Sequence, residues 1–208
     1  PNWISREGAR GMEYNAWGQP PNPPEHEVNL VFTRLLAGPM DYTPGIVSLK
    51  GRNGQAIPST LARQLALYVT LYSPIQMAAD LLDNYEANPE PFQFIKDVPV
   101  DWSDSRTLDA ALGDYVVVAR KERNSDVWAL GAITDEHPRV LSAPLGFLDA
   151  GRRYRAEIYR DGPDANYTDR RESIVIEQRE VTSADMLTLA LAPGTCWSTI
   201  RVSCARSP

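Results

Sequence analysis

Five apolar residues between positions 25 and 37, Val28, Val31, Phe32, Leu35 and Leu36, fall at i, i+3, i+4, i+7 and i+8. That spacing predicts a helix with one buried stripe, stopped by Gly38-Pro39. A second helix is predicted from Thr60 to Tyr72, with Leu61, Leu65, Tyr68, Val69 and Tyr72 on one face. Ser59 reads as its N-cap and Ser73-Pro74 as its end. Between and after these helices lie short apolar runs, "GPMDYTPG" and "SPIQMAAD", that finish in or contain an aspartate, Asp41 or Asp80. "GMEYNAW" repeats the rhythm one step earlier. Short strand, acidic end and helix is the order of βα units in a parallel sheet or barrel, so three such units are predicted, followed by a last helix around residues 91–96.

After Val100 the pattern changes. "DYVVVARKE", "VWALGAIT", "RRYRAEIYRD", "ESIVIEQREV", "MLTLALA" and "WSTIRVS" read as strands, several of them alternating strictly, as in Tyr154, Ala156 and Ile158 against Arg153, Arg155 and Glu157. Alternation of that kind marks a sheet with one wet face. Turn signals at Arg123-Asn124-Ser125-Asp126 and Asp161-Gly162-Pro163 separate them at intervals suited to an antiparallel sandwich. The fold class read from the pattern is therefore α/β over residues 1–100 followed by an all-β domain over 101–208.

Composition narrows the class of function. A chain of 208 residues with 43% hydrophobic content, five Trp and nine Tyr has the material for a sizeable core. Its net charge of −6 argues against a nucleic-acid partner, which would call for a dense basic footprint. Arg152-Arg153 and Arg170-Arg171 are the densest basic pairs and read as solvated ends of strands or loops. No apolar run is long enough to span a membrane. Cys196 and Cys204 lie in one predicted strand, about 26 Å apart at 3.3 Å per residue, so a disulfide between them would need a bend.

Candidate chemistry gathers near the start, in "REGARGMEYNAWG". Glycines at 8 and 11 let the backbone turn tightly around Glu7 and Glu13. Two carboxylates in one loop suit a glycosidase, which protonates a leaving oxygen with one acid and uses a second carboxylate on water or on the sugar. They equally suit a hard cation such as calcium, and solvated loop residues would share the spacing. Glu25-His26-Glu27 does not fit the H-E-x-x-H spacing and reads as acidic residues complementing a helix N-terminus. Trp3, Tyr14, Trp17 and Tyr42 are candidates to stack on a sugar ring or to pack in the core. No nucleophile-elbow, phosphate-loop or Cys-x-x-Cys motif is present.

A longer likeness joins these fragments. "PNWISREGARGMEYNAWG", "PPEHEVNLVFTRLLAGPMDYTPGI", "LARQLALYVTLYSPIQMAADLLDNYE" and "FQFIKDVPVDW", then "GDYVVVARKERNSDVWALGAITDE" and "YRAEIYRDGPDA", follow in an order that resembles the C-terminal part of glycoside hydrolase family 97. The resemblance implies the end of a (β/α)8 TIM barrel over residues 1–100 and a C-terminal antiparallel β-sandwich over 101–208. It implies an intact calcium-dependent α-glucosidase or α-galactosidase acting on oligosaccharides in the bacterial periplasm or outside the cell. Glu13 in "RGMEY" then matches the general acid and Glu7 in "REG" a ligand of Ca2+. The second catalytic carboxylate, the remaining calcium ligands, an N-terminal sandwich and the early barrel would precede this chain, and the chain alone would be inactive. The competing expectation is a non-catalytic module, either carbohydrate-binding or structural, attached to an inactive barrel fragment.

Overall fold

The computed structural model describes residues 6–194 and 196–204. The first part is helical: a 3₁₀-helix Met12–Ala16, α1 Pro24–Phe32, a second 3₁₀-helix Arg34–Ala37, α2 Leu61–Thr70, α3 Leu82–Ala87 and α4 Pro89–Asp97. None of the described helices is long and apolar enough to cross a membrane. α1 starts on a proline, whose fixed φ and missing N–H suit the first helical turn. The single helix predicted to Ala37 is corrected here. Thr33 leaves helical geometry, its hydroxyl donating back to Asn29 O at 2.6 Å, and the chain tightens into the 3₁₀ turn with Leu36 81% exposed.

α2 differs from expectation in two ways. Its cap is Thr60, whose Oγ1 accepts the Arg63 N–H at 3.2 Å, while Ser59 Oγ accepts from Gln64 Nε2 at 2.7 Å. Every residue of the helix is buried, Arg63 and Gln64 included, so the apolar stripe does not face solvent on its other side. Arg63 is compensated on three sides. Its guanidinium donates to Glu27 Oε2, Thr134 O and Pro24 O, each at 2.6 Å. The other Glu27 oxygen accepts the Tyr42 hydroxyl at 2.6 Å. Burial, and after it the charge of Glu27, push the Tyr42 phenol well above its ordinary range, which keeps the proton that makes this bond.

The three predicted βα strands are corrected here: "GMEYNAW" folds as the 3₁₀-helix Met12–Ala16, "SPIQMAAD" enters no strand pairing, and "GPMDYTPG" keeps one bridge, at Met40. Among the described residues before 101, the pairings are a parallel bridge between Arg6 and Met40 and an antiparallel bridge between Lys50 and Ala56. Asp41 N donates to Arg6 O at 3.1 Å and Met40 N to Tyr72 O at 3.1 Å, so the segments at 6, 40 and 72 lie side by side. Pro39 and Pro44 withhold N–H groups on either side of the middle segment, and Thr43 turns into the left-handed region at φ 58°, which stops the ladder from extending.

The rest is antiparallel: β1 Trp102–Ala111, β2 Tyr115–Glu122, β3 Trp128–Thr134, β4 Arg139–Pro144, β5 Tyr154–Asp161, β6 Ile174–Val181, β7 Met186–Leu191 and β8 Cys196–Cys204. Six strands form one sheet in the order β1-β2-β3-β8-β5-β6, and β4-β7 forms a second. Their inner faces share a core in which Val117, Leu130 and Ala156 meet Ala143, Leu187 and Leu189. β8 is one continuous strand between the two cysteines. β1 and β4 are additional to the predicted set. Bulges at Trp102/Asp104 and Thr107/Asp109 break the alternation of β1, and β4 ends on a proline that only an edge position tolerates.

The wet face predicted for the large sheet is absent at its centre. Val116 and Ile133 pack into the cluster with Ala62 and Ala66, while Val118 and Ala129 pack with Val69. β2 and β3 are covered on both faces, by α2 on one side and by β4-β7 on the other. Gly131 allows the close approach, since a Cβ there would lie 2.9 Å from Val69 Cβ. Arg171, predicted to be solvated, instead donates to Leu49 O at 2.7 Å and Ile57 O at 3.2 Å across the join.

Arg63→Ala leaves the Glu27 carboxylate buried without its ionic partner, and should cost about 3–5 kcal/mol in equilibrium urea unfolding. The double variant Arg63→Met/Glu27→Leu should regain most of that loss. A single-variant cost below about 1 kcal/mol would show that the pair does not organise this core.

Candidate functional site

The site is built on the loop 6–11 and the 3₁₀-helix that follows it. Gly8 sits at φ 70°, and a Cβ there would lie 2.8 Å from Arg34 Nε. The Arg34 guanidinium crosses beneath the loop and donates only to main-chain carbonyls: Glu7 O at 2.7 Å, Arg6 O at 2.6 Å, Gly38 O at 3.0 Å and Pro39 O at 3.1 Å. One side chain thus ties the residue that bears the Glu7 carboxylate to the segment leading into Met40. Sequence spacing gives no sign of it, because Arg34 stands in the predicted helix as an ordinary polar position.

Gly11 lies beside both glutamates. A Cβ built there would fall 2.6 Å from Glu13 Oε2, 3.3 Å from Glu7 Oε1 and 3.4 Å from Tyr42 O, so a larger residue would displace the Glu13 carboxylate from its position in the turn. Met12 N donates to Tyr42 O at 2.9 Å, and the buried Met12 side chain anchors the turn. Asn22 closes it, with its N–H on Asn15 Oδ1 at 2.7 Å and its side-chain amide on Gly11 O at 3.0 Å. Glu13 follows in the first turn of the 3₁₀-helix and is half-buried.

A third carboxylate stands nearby. Burial first, and then the negative charge of Glu13, hold the Asp41 carboxyl above the usual carboxylate range, with the Thr43 hydroxyl at 3.5 Å opposing. Asp80, the other segment-end aspartate, is occupied structurally: it accepts Ser48 N at 2.7 Å, Leu81 N at 2.8 Å and Asn84 Nδ2 at 2.5 Å. Among the described residues no group of three His, Cys, Asp or Glu side chains has the arrangement of a metal cage. Glu25-His26-Glu27 resolves the same way. Glu27 is the buried partner of Arg63 rather than a helix-end charge in solvent, and His26 Nε2 lies 2.8 Å from Arg10 O.

Glu13 opens onto a cleft of about 680 Å³ whose wall includes Met12, Trp17, Thr43, Lys50, Arg52 and Ile57. Its volume is that of small-molecule sites. Of the four aromatics singled out, Trp17 is 66% exposed on this wall. Tyr42 is buried and bound to Glu27, Tyr14 packs against the Arg10 guanidinium at 4.8 Å, and Trp3 lies outside the described residues. Lys50 and Arg52 are wall residues that the sequence did not suggest.

Removing the Arg34 clamp by Arg34→Ala should speed hydrogen exchange at the Asp41 and Met12 amides roughly tenfold, equivalent to about 1.4 kcal/mol, while α2 amides keep their protection. Unchanged exchange at both amides would show that the loop is held by other contacts.

Comparison with known proteins follows the same division of the chain. Residues 101–200 match the family model described as glycosyl-hydrolase 97 C-terminal, oligomerisation. A retaining α-galactosidase of Bacteroides thetaiotaomicron is 35% identical over 203 residues, covering 93% of this chain and 30% of that protein. Two structures of a glycoside hydrolase family 97 enzyme from Pseudoalteromonas sp. strain K8, one in complex with panose and one with acarbose, each superpose with a TM-score of 0.94 at 53% identity. Each covers 99% of this chain and 32% of its own. The chain thus spans about a third of the length of the relatives it matches, and it belongs to glycoside hydrolase family 97, with residues 101–200 corresponding to that family's C-terminal domain.

Proposed function

We infer that the protein containing this chain is a calcium-dependent α-glycosidase that removes terminal α-linked glucose, or galactose, from oligosaccharides. The observation that carries this reading is the Glu13 carboxylate on the wall of a cleft of about 680 Å³, with Glu7 and Glu13 both beside Gly11. Glycoside hydrolysis needs an acid that protonates the departing oxygen and a second carboxylate on the other side of the bond. Glu13 takes the acid role because its carboxylate borders the cleft. The second carboxylate would come from the part of the enzyme beyond this chain.

Glu7 is assigned to calcium. Carboxylate oxygen is the donor that this hard cation takes, but its coordination number of six to eight exceeds what the described residues gather. The other ligands would come from the same missing part. Once bound, the ion would polarise and hold sugar oxygens as charge develops. Within this chain the protein's contribution is orientation, through the Arg34 bonds that fix the Glu7 main chain.

The side-by-side segments at 6, 40 and 72 support the end of a (β/α)8 barrel, whose working residues collect where strands run into loops. Glucose is the better-supported sugar, because the enzyme in complex with panose and acarbose is 53% identical and the α-galactosidase 35%. The description of the matched domain supports self-association of residues 101–200. A location in the bacterial periplasm or outside the cell belongs to the same proposal and rests on the family resemblance.

In the full-length enzyme, Glu13→Gln should lower hydrolysis of natural α-glucosides by roughly 100- to 10,000-fold and that of activated aryl α-glucosides far less, since a good leaving group needs little protonation. Equal losses on the two substrates would remove Glu13 from the acid role. Glu7→Ala should instead raise the calcium concentration for half-maximal activity, with partial rescue by excess calcium. A calcium titration superimposable on that of the unaltered enzyme would end the ligand assignment.

A further inference from the structure

The two-stranded sheet β4-β7 has one face in the core and one outside. Leu187, Leu189, Leu191 and Ala143 point inward and are buried. The outer face consists of three cross-strand pairs, Val140 with Ala190, Ser142 with Thr188 and Pro144 with Met186. All six residues are exposed, Val140 at 74% and Met186 at 63%, and none carries a charge. A two-stranded ribbon with a dry outer face is unusual on a domain whose other outward strand positions, in β1 and β6 for example, carry Asp104, Arg106, Arg179 and Glu180. The charges nearest the ribbon are turned back on themselves. Arg139 pairs with Asp135 and, at 3.5 Å, with Asp114, and Asp185 accepts the Thr182 N–H at 2.6 Å and hydroxyl at 2.8 Å.

We propose that the outer face of β4-β7, centred on the Ser142–Thr188 pair, is the contact through which a second copy of this protein binds. The proposal rests on the reading that residues 101–200 self-associate, and it names the surface. Burying an unpaired charge at a contact is costly, so copies meet most readily where the surface is uncharged, and this face offers six uncharged positions on paired strands. Two copies related by a twofold axis present the same patch to each other. An axis near the central pair sets the Val140 end of one ribbon against the Met186 end of the other. Among the described residues, the other exposed large apolar side chain within the matched region, Leu112, stands at the β1-β2 turn near Asp114. Ile75, Met77, Leu81 and Leu82 precede residue 101 and so lie outside the matched region, Leu81 on the cleft wall. An open groove of about 780 Å³ continues the ribbon surface past Val140 and Ala190, and its Arg160, Asp164 and Asn166 would supply the polar rim that a stable interface of about 800 Å² per partner needs.

The test is sedimentation or light scattering on the full-length enzyme across a concentration series. The unaltered protein should be an oligomer, and either Val140→Lys or Met186→Glu should weaken association by at least about tenfold through two buried charges per contact, with the thermal unfolding of the subunit unchanged. Leu112→Lys should leave the mass as it was. The double variant Val140→Lys/Met186→Glu sets opposite charges across the twofold and should regain association relative to either single change. If the unaltered enzyme is oligomeric and neither single variant lowers its mass, the face assignment is wrong while self-association stands. If the unaltered enzyme is monomeric throughout, the self-association reading fails and the face falls with it.

Discussion

A single buried guanidinium decides how the parts of this chain are arranged. Arg63 lies on a helix with no solvent-facing side, and its charge is met by Glu27 from α1, while its remaining N–H groups reach the carbonyls of Pro24 and Thr134. Taking both ions out of water is expensive, so the pair adds less to net stability than its short contacts suggest. Its importance is that the arrangement has few alternatives. Any shift of α1, α2 or the end of β3 would leave a buried charge or carbonyl without its partner, at a cost of several kcal/mol in a fold whose total margin is about 5–15 kcal/mol.

The candidate site hangs from the same interaction. Glu27 also receives the Tyr42 hydroxyl, and the Tyr42 carbonyl receives the Met12 N–H, so a path of three hydrogen-bonded contacts runs from Arg63 to the residue preceding Glu13. Arg34 performs the corresponding task for Glu7 from the other side, through main-chain carbonyls alone. Both carboxylates are therefore held by groups that do not touch them directly. Among the described residues no hydrogen bond occupies the oxygens of either carboxylate, which is what the proposed roles require. Gly11 completes the arrangement by leaving empty the volume beside the Glu13 carboxylate.

β7 and the first half of β5 were legible from period-2 patterning, and β2 and β3 as continuous apolar runs, the pattern of strands covered on both faces. β1 was hidden by its two bulges and β4 by its proline, both features that break the pattern without breaking the sheet. α2 was legible as a helix but not as a fully buried one, since its polar residues Arg63, Gln64 and Thr70 resemble a wet face until their partners from distant segments are known. Glu27 does stand in the first turn of its helix, as read from the sequence, but its pairing was hidden for the same reason: only the fold brings Arg63 to it. Glu7 and Glu13 were legible as candidates through the flanking glycines and the resemblance. Arg34, Lys50 and Arg52 were not, because each reaches the loop that bears the glutamates, or the cleft beside it, across 20 residues or more of intervening chain.

The join between helices and sheet bears on whether residues 101–208 form a detachable module. A module is expected to close its own core, yet the central strands here offer Val116, Val118 and Ile133 to α2. Gly131 leaves a hollow that Val69 fills. The last carbonyls of α2, which a helix cannot satisfy from within, are taken by Arg120, whose Nε donates to Val69 O at 2.6 Å. Burial brings that guanidinium down to about 10, still high enough to remain charged at neutral pH and to hold the helix end. Ile174 of β6 packs against clusters formed by residues 47–95, and Leu61 N donates to Arg171 O at 2.9 Å. A sheet shaped in this way is the second wall of the helical part's core. Its stability and the geometry at Gly11 are then coupled through α2, so that the strands contribute to holding the carboxylates even though none of their residues lines the cleft.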